Sequence, residues 1–188
     1  GEPLANYFAL KETLQTWLAY TDIGPTHITV STVGVLPLLE RILQDKEWPS
    51  TRLAISLHSA DVKTRKQIVP SSYEDFLPRL QEWARAYIAA RGNRRHHITL
   101  EHVMLSGVND TLMHAKKLAD YVNSIGNVRV NLIPYNFTKD SGFERSTDQD
   151  ISRFGTHLEL QHVTVTVRKT MGDDIAAACG QLITEKRA

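Results

Sequence analysis

The side chains able to do chemistry in this 188-residue chain recur at one kind of place, the ends of short apolar or β-branched runs. HITVSTVG, residues 27–34, closes with Ser31, Thr32 and Val33. TRLAISLHS, residues 51–59, closes with Ser56, His58 and Ser59. HHITLEHVML carries Glu101 and His102 and is followed by Ser106; NVRVNLIPYN carries Asn131 and ends in Asn136. Small hydroxyls, an imidazole and two carboxamides suit a polar, nucleoside-like ligand. No GxGxxG or Walker-type phosphate loop occurs. His96, His97, Glu101 and His102 alternate between strand faces and do not converge on a metal. Ser, Asn and His are also ordinary loop starters and helix caps, so each alone fits a structural role as well. His58 leans functional: it ends an apolar strand with no Gly or Pro turn to explain it.

The single cysteine, Cys179, lies in GDDIAAACGQL, residues 172–182. A lone cysteine is commonly a small buried hydrophobe. Here a helix start would lower the thiol pKa while Asp173 and Asp174 would raise it. One thiol excludes an internal disulfide and any multi-cysteine metal or iron–sulfur site supplied by this chain alone. The densest basic stretch, RGNRRHH at 91–97, reads as a solvated helix end, with an RNA-backbone contact as the minority reading; VRKT at 167–170 is a second basic candidate.

The elements that must position these residues alternate. Helical spacing marks 10–20, 35–44, 71–92, 107–126 and 146–160, with a short final helix at 173–183. Ser72 with Asp75 is the expected start of the third helix, Asn109 or Asp110 the cap of the fourth, and Ser146 with Gln149 a capping box for the fifth. Pro37 is tolerated only in a first turn, and Gly126 is a terminator. Strands fall at 27–34, 51–59, 96–105, 127–136 and 162–170. This is α/β alternation with a largely parallel sheet. The chain is too short for a closed eight-stranded barrel, so an open sheet or partial barrel within one domain, 1–188, is expected. In such sheets ligands sit beyond the carboxyl ends of the strands. With 41% hydrophobic and 23% charged residues a core is within reach and disorder is not expected. A net charge of +1 argues against a strongly electrostatic nucleic-acid module without excluding a nucleic-acid substrate. No apolar run spans a membrane and no signal peptide is evident, so a cytoplasmic protein is the expectation.

Taken in order, GEPLANY, ITVSTVGVLP, LAISLHSAD, EHVMLSGVND, VNLIPYN and VTVRKTMGDDIAAACGQL resemble the radical S-adenosylmethionine enzymes that methylate adenine C2 or C8 in 23S ribosomal RNA. The resemblance covers nearly the whole chain. It implies part of a (β/α)6 barrel, without the three-cysteine loop that holds a [4Fe-4S] cluster and without the accessory N-terminal domain. The chain would then be the C-terminal part of a longer protein. By motif, Gly1, Glu2, Ser31, Val33 (through its backbone), Ser56, Leu57, His58 and Asn136 are implied to bind S-adenosylmethionine, and Cys179 to be the first methyl acceptor. A second S-adenosylmethionine would be cleaved by the reduced cluster, giving the radical that activates the methyl group on Cys179 for addition to adenine. A cysteine outside this chain would resolve the adduct. Met171 departs from the arginine more common in the family.

The implied partners are ribosomal or transfer RNA and an electron donor for the cluster, with no membrane. The 188 residues alone are expected to be inactive, and self-association is expected through an exposed edge at 27–33 unless residues 1–20 cap it. Two other readings compete. A cluster-free barrel enzyme would need a strand-end lysine or a glycine-rich phosphate loop, and neither is evident. A non-catalytic scaffold or degenerate paralogue would lack a three-cysteine loop upstream.

Overall fold

The computed structural model describes residues 1–91, 98–136 and 141–168. Its strands are β1 (Thr29–Thr32), β2 (Arg52–Ser56), β3 (Ile98–Met104), β4 (Val128–Pro134) and β5 (Thr164–Val167). Its helices are α1 (Tyr7–Tyr20), α2 (Leu36–Gln44), α3 (Val62–Ile68), α4 (Phe76–Arg91), α5 (Leu112–Ile125) and α6 (Asp148–Leu160). The sheet is wholly parallel and runs in sequence order, β1-β2-β3-β4-β5. Each strand is therefore joined to its immediate neighbour by a helical crossover. Right-handed crossovers repeated in one direction place the helices on one face, the arrangement of a barrel wall.

Alternation shows which face that is. In β3, Ile98, Leu100, His102 and Met104 are buried while Thr99, Glu101 and Val103 are half-buried. Val128, Val130, Leu132 and Pro134 repeat the pattern in β4. The buried set packs with Leu36, Leu39 and Ile42 of α2, Leu80, Trp83 and Ala84 of α4, Ala115, Leu118 and Val122 of α5, and Phe154 and Leu158 of α6. His102 lies on this face, its ring stacked 5.0 Å from that of Phe154. The opposite face carries the polar row Ser56, Glu101, Asn131 and Thr166, in register across four strands. Among the described residues no helix is long and apolar enough to cross a membrane.

Several expected boundaries shift for local reasons. The helix expected from Ser72 starts at Phe76: residues 73–75 form a turn, and Arg79 N–H reaches Asp75 O as the first helical bond. Pro78 thereby falls in the first turn, where no amide is required. α3 was not anticipated; Asp61 caps it by accepting from Thr64 N at 2.9 Å. The cap of α5 is Thr111, neither Asn109 nor Asp110. The cap of α6 is Thr147, with Asp150 as its partner, in place of Ser146 with Gln149. Ser146 is buried and donates instead to Asp110 Oδ2 at 2.8 Å. Pro37 does sit in the first turn of α2, and Gly126, at φ 119°, ends α5. The expected final helix and all of the 91–97 stretch except Arg91 lie outside the described residues. Arg91 itself donates to Trp48 O at 3.0 Å, and also to Asp45 O, tying α4 to the α2–β2 loop.

Candidate functional site

The strand ends beside this polar row are built by a few local devices. At the end of β2, Leu57 N and His58 N both donate to Glu101 O, at 3.1 and 3.0 Å. Two successive amides on one carbonyl break the ladder as a bulge does. His58 takes a left-handed conformation, φ 58°, uncommon for a residue with a Cβ. Its Nδ1 accepts from Val103 N at 3.2 Å, so the proton of the neutral ring belongs on Nε2. Burial, helped by the Arg65 charge, lowers the His58 pKa to about 4.

Two buried side chains lock this corner. Asn109, fully buried, accepts from Leu105 N at 2.9 Å and donates to His58 O at 2.8 Å and Val103 O at 2.7 Å. Arg65, also buried, donates from Nε to Leu57 O at 3.1 Å and from Nη2 to Ser56 O at 3.4 Å, with its guanidinium 3.6 Å from the Phe76 ring centroid. Arg65 thus caps the carbonyl end of β2, and burial lowers its pKa to about 10.

At the end of β1, Glu2 bridges two amides. Its Oε1 accepts from Leu4 N at 3.0 Å and its Oε2 from Val33 N at 2.8 Å. Gly34 follows at φ 88°, where a Cβ would lie 3.0 Å from the Phe76 ring, so position 34 demands glycine on both counts.

In mid-sheet, Glu101 Oε2 accepts from Asn131 Nδ2 at 2.8 Å, and Asn131 Oδ1 accepts from Thr166 Oγ1 at 2.9 Å. Burial raises the Glu101 pKa, against the opposing effects of the Asn131 hydrogen bond and the Arg168 charge.

These devices surround a groove of about 470 Å³, whose walls include Ser31, Ser56, His58, Glu101, Val103, Leu105, Ile133, Tyr135, Asn136 and Arg168. Asn136 Oδ1 is buried there without a hydrogen-bond partner, an acceptor waiting for a donor. Of the residues expected to form a site, Ser31, Ser56, His58 and Asn136 converge on this groove. Leu57 is wholly buried, so only its backbone belongs to the strand end. Gly1, Glu2 and Val33 are not among the lining residues, and the Val33 amide is already taken by Glu2. Cys179 lies outside the described residues.

From sequence, Glu101 stands out as a polar strand residue and Arg168 as part of a basic stretch, but neither is assigned to the ligand site, and Val103 is passed over. The available signal was register: Glu101 stands directly beside Ser56. A second, open depression of about 590 Å³ lies between the β3–α5 turn and α6, with Ser106, Asp110, Met113, Asp150 and Arg153 in its walls. None of the expected site residues reaches it. Among the described residues no cluster of His, Cys, Asp or Glu could hold a metal ion.

No family model matches the chain. Individual relatives do. It is 38% identical over 97% of its length to the probable dual-specificity RNA methyltransferase RlmN of Thermosynechococcus vestitus, covering 52% of that protein. It is 41% identical to the dual-specificity RNA methyltransferase RlmN of Alcanivorax borkumensis, again over 97% of the chain and covering 48% of the relative. A solved radical SAM methyltransferase from Sphaerobacter thermophilus superposes on 96% of the chain with a TM-score of 0.86 and 34% identity, the match covering 52% of that structure. A domain of a pyruvate-formate lyase-activating enzyme from Bacteroides vulgatus shares the fold, with a TM-score of 0.64 at 18% identity. Sequence and fold agree: the chain is similar to RNA methyltransferases named RlmN and to a radical SAM methyltransferase, and it spans about half the length of the relatives it matches.

Proposed function

We propose that the protein containing this chain transfers a methyl group to an adenine carbon of ribosomal RNA by way of Cys179, and that the strand-end groove binds S-adenosylmethionine. The observation that carries this reading is the convergence of Ser31, Ser56, His58 and Asn136 on one groove, in a chain whose relatives are RNA methyltransferases.

The groove fits the ligand chemically. The unpartnered Asn136 Oδ1 accepts from a ligand N–H or O–H, His58 Nε2–H donates, and the Ser31 and Ser56 hydroxyls do either. Val103, Leu105 and Ile133 supply apolar wall that excludes water. Glu2 acts one step back: by holding Val33 N it fixes the end of β1, and with Gly1 it is assigned to the amino-acid end of the ligand. Leu57 and Val33 contribute backbone only. When bound, S-adenosylmethionine supplies the methyl group and, in radical SAM enzymes, the precursor of the hydrogen-abstracting radical. The Cys179 thiolate is the strong nucleophile the sequence offers as methyl acceptor; an aromatic adenine carbon is far weaker.

A [4Fe-4S] cluster does not fit this chain. Three thiolates are needed and the sequence has one cysteine. The cluster and the resolving cysteine are assigned to the rest of the protein and the electron donor to a separate partner, and the 188 residues alone are inactive. The test is anaerobic: the complete gene product, reconstituted with iron and sulfide, is incubated with ribosomal RNA and methyl-deuterated S-adenosylmethionine, and digested nucleosides are weighed by mass spectrometry. Labelled methyladenosine, lost in Cys179→Ala, is expected. Cleavage of S-adenosylmethionine without labelled adenine would refute the RNA assignment.

A further inference from the structure

Resting on the reading of the groove as the S-adenosylmethionine site, we infer that Glu101 is its specificity determinant for charge: it favours the cationic sulfonium over the neutral thioether that remains once the methyl group is gone. Glu101 is the only acidic side chain in the groove wall among the described residues. It sits mid-sheet, between Ser56 and Asn131 in register. Its orientation is fixed. Thr166 Oγ1 occupies Asn131 Oδ1, which turns the Asn131 amide donor toward Glu101 Oε2. Asn131 donates to one of the Glu101 carboxylate oxygens, and Glu101 lines the groove wall.

The surrounding charges agree with a cationic ligand. His58 is held neutral by its burial and its accepting Nδ1. Arg168 is exposed and stands at the end of β5, and its attraction is the weakest of the influences on Glu101. Glu2, the other carboxylate at the strand ends, has both oxygens committed to backbone amides. A half-buried carboxylate opposite a bound cation works at reduced dielectric, where one charge pair is worth far more than in water. The same carboxylate gains nothing from a thioether. The groove would therefore hold substrate and release demethylated product.

The alternative role is structural, a tie between β3 and β4. Glu101→Gln separates the two, because a glutamine carbonyl still accepts from Asn131 while the charge is gone. Three probes are titrated calorimetrically into the 188-residue chain and its E101Q variant, with melting curves as a check on folding: S-adenosylmethionine, sinefungin (an ammonium where the sulfonium stands) and S-adenosylhomocysteine (neutral). The wild-type chain is expected to bind the two cations about tenfold more tightly than the thioether, and E101Q to lose about tenfold on the cations only, a change of about 1.4 kcal/mol. Equal losses on all three probes, or none, overturn the inference while leaving the groove as the binding site. Failure of the wild-type chain to bind any probe overturns the groove assignment itself, and the inference with it.

Discussion

Asn109 does more for the strand ends than any side chain that touches the groove. Its amide holds the β3–α5 turn through Leu105 N and ties that turn to His58 O and Val103 O from full burial. Asn109→Ala leaves three buried backbone groups without partners. The expected loss is about 3 kcal/mol of unfolding free energy, read by urea denaturation; a loss under about 1 kcal/mol would mean that water replaces the clamp.

His102 gives a second prediction. Burial, with His58 nearby, lowers its pKa to about 3, and both ring nitrogens lack partners. The unfolded chain protonates this histidine near its ordinary value and the folded chain does not. Between those values the unfolded state binds more protons, so stability is complete above about pH 6.5 and falls as the pH drops toward 3. Asp45, lowered to about 2 by its Lys11 and Tyr7 partners, contributes its loss at more acid pH. From pH 7 to pH 5 His102 accounts for about 2 kcal/mol, and His58, lowered to about 4 by burial, adds a loss of similar size over the same window. His102→Leu should make that part of the profile markedly shallower, with His58 supplying the slope that stays; an unchanged slope would contradict the assignment. Residue types made Ser31, Ser56, His58 and Asn136 legible, because hydroxyls, an imidazole and an amide at strand ends carry a chemical meaning. Glu101 and Asn109 were not legible as site and clamp, since their roles depend on register and on a turn that folds back over β2.

At the level of elements, alternating patterns revealed all five strands and most helices. The caps were misread because several Ser, Thr, Asn and Asp residues cluster before each helix, and only backbone geometry selects the one that caps. Thr111 and Thr147 were chosen while Asn109, Asp110 and Ser146 were drawn into tertiary bonds. α3 escaped notice because a seven-residue helix, Val62–Ile68, is too short to show a period. Among the described residues β1 is an edge strand of the sheet. Ile28 O accepts from Arg52 N, so the backbone groups of Val30 and Thr32 also face β2, and those of Thr29 and Ser31 point away. Glu2 takes the next outward amide, Val33. Hydrogen exchange should find Val30, Thr32 and Val33 protected and Thr29 and Ser31 fast. Glu2→Ala should release Val33 and Leu4, the two amides it holds. We further propose that the Thr29–Ser31 edge pairs with a second copy of the chain; slowing of those two amides with rising concentration is the expected sign, and concentration-independent fast exchange in a monomer is the contrary result.

At the scale of the whole molecule, the described residues form a five-stranded parallel wall, and the groove along its polar row is the proposed ligand site. Iron and sulfide added anaerobically to the 188-residue chain should yield no stoichiometric cluster, since one thiol cannot hold it; one cluster per monomer would contradict the division of labour proposed above. The central claim is that the strand-end groove, and no other depression, is the S-adenosylmethionine site. Titrating S-adenosylmethionine into the ¹⁵N-labelled chain tests it most directly. Amide shifts are predicted to concentrate at Ser31, Ser56, His58, Glu101 and Asn136, with Met113 and Arg153 unmoved. Shifts centred on Met113 and Arg153, or none anywhere at saturating ligand, would contradict it.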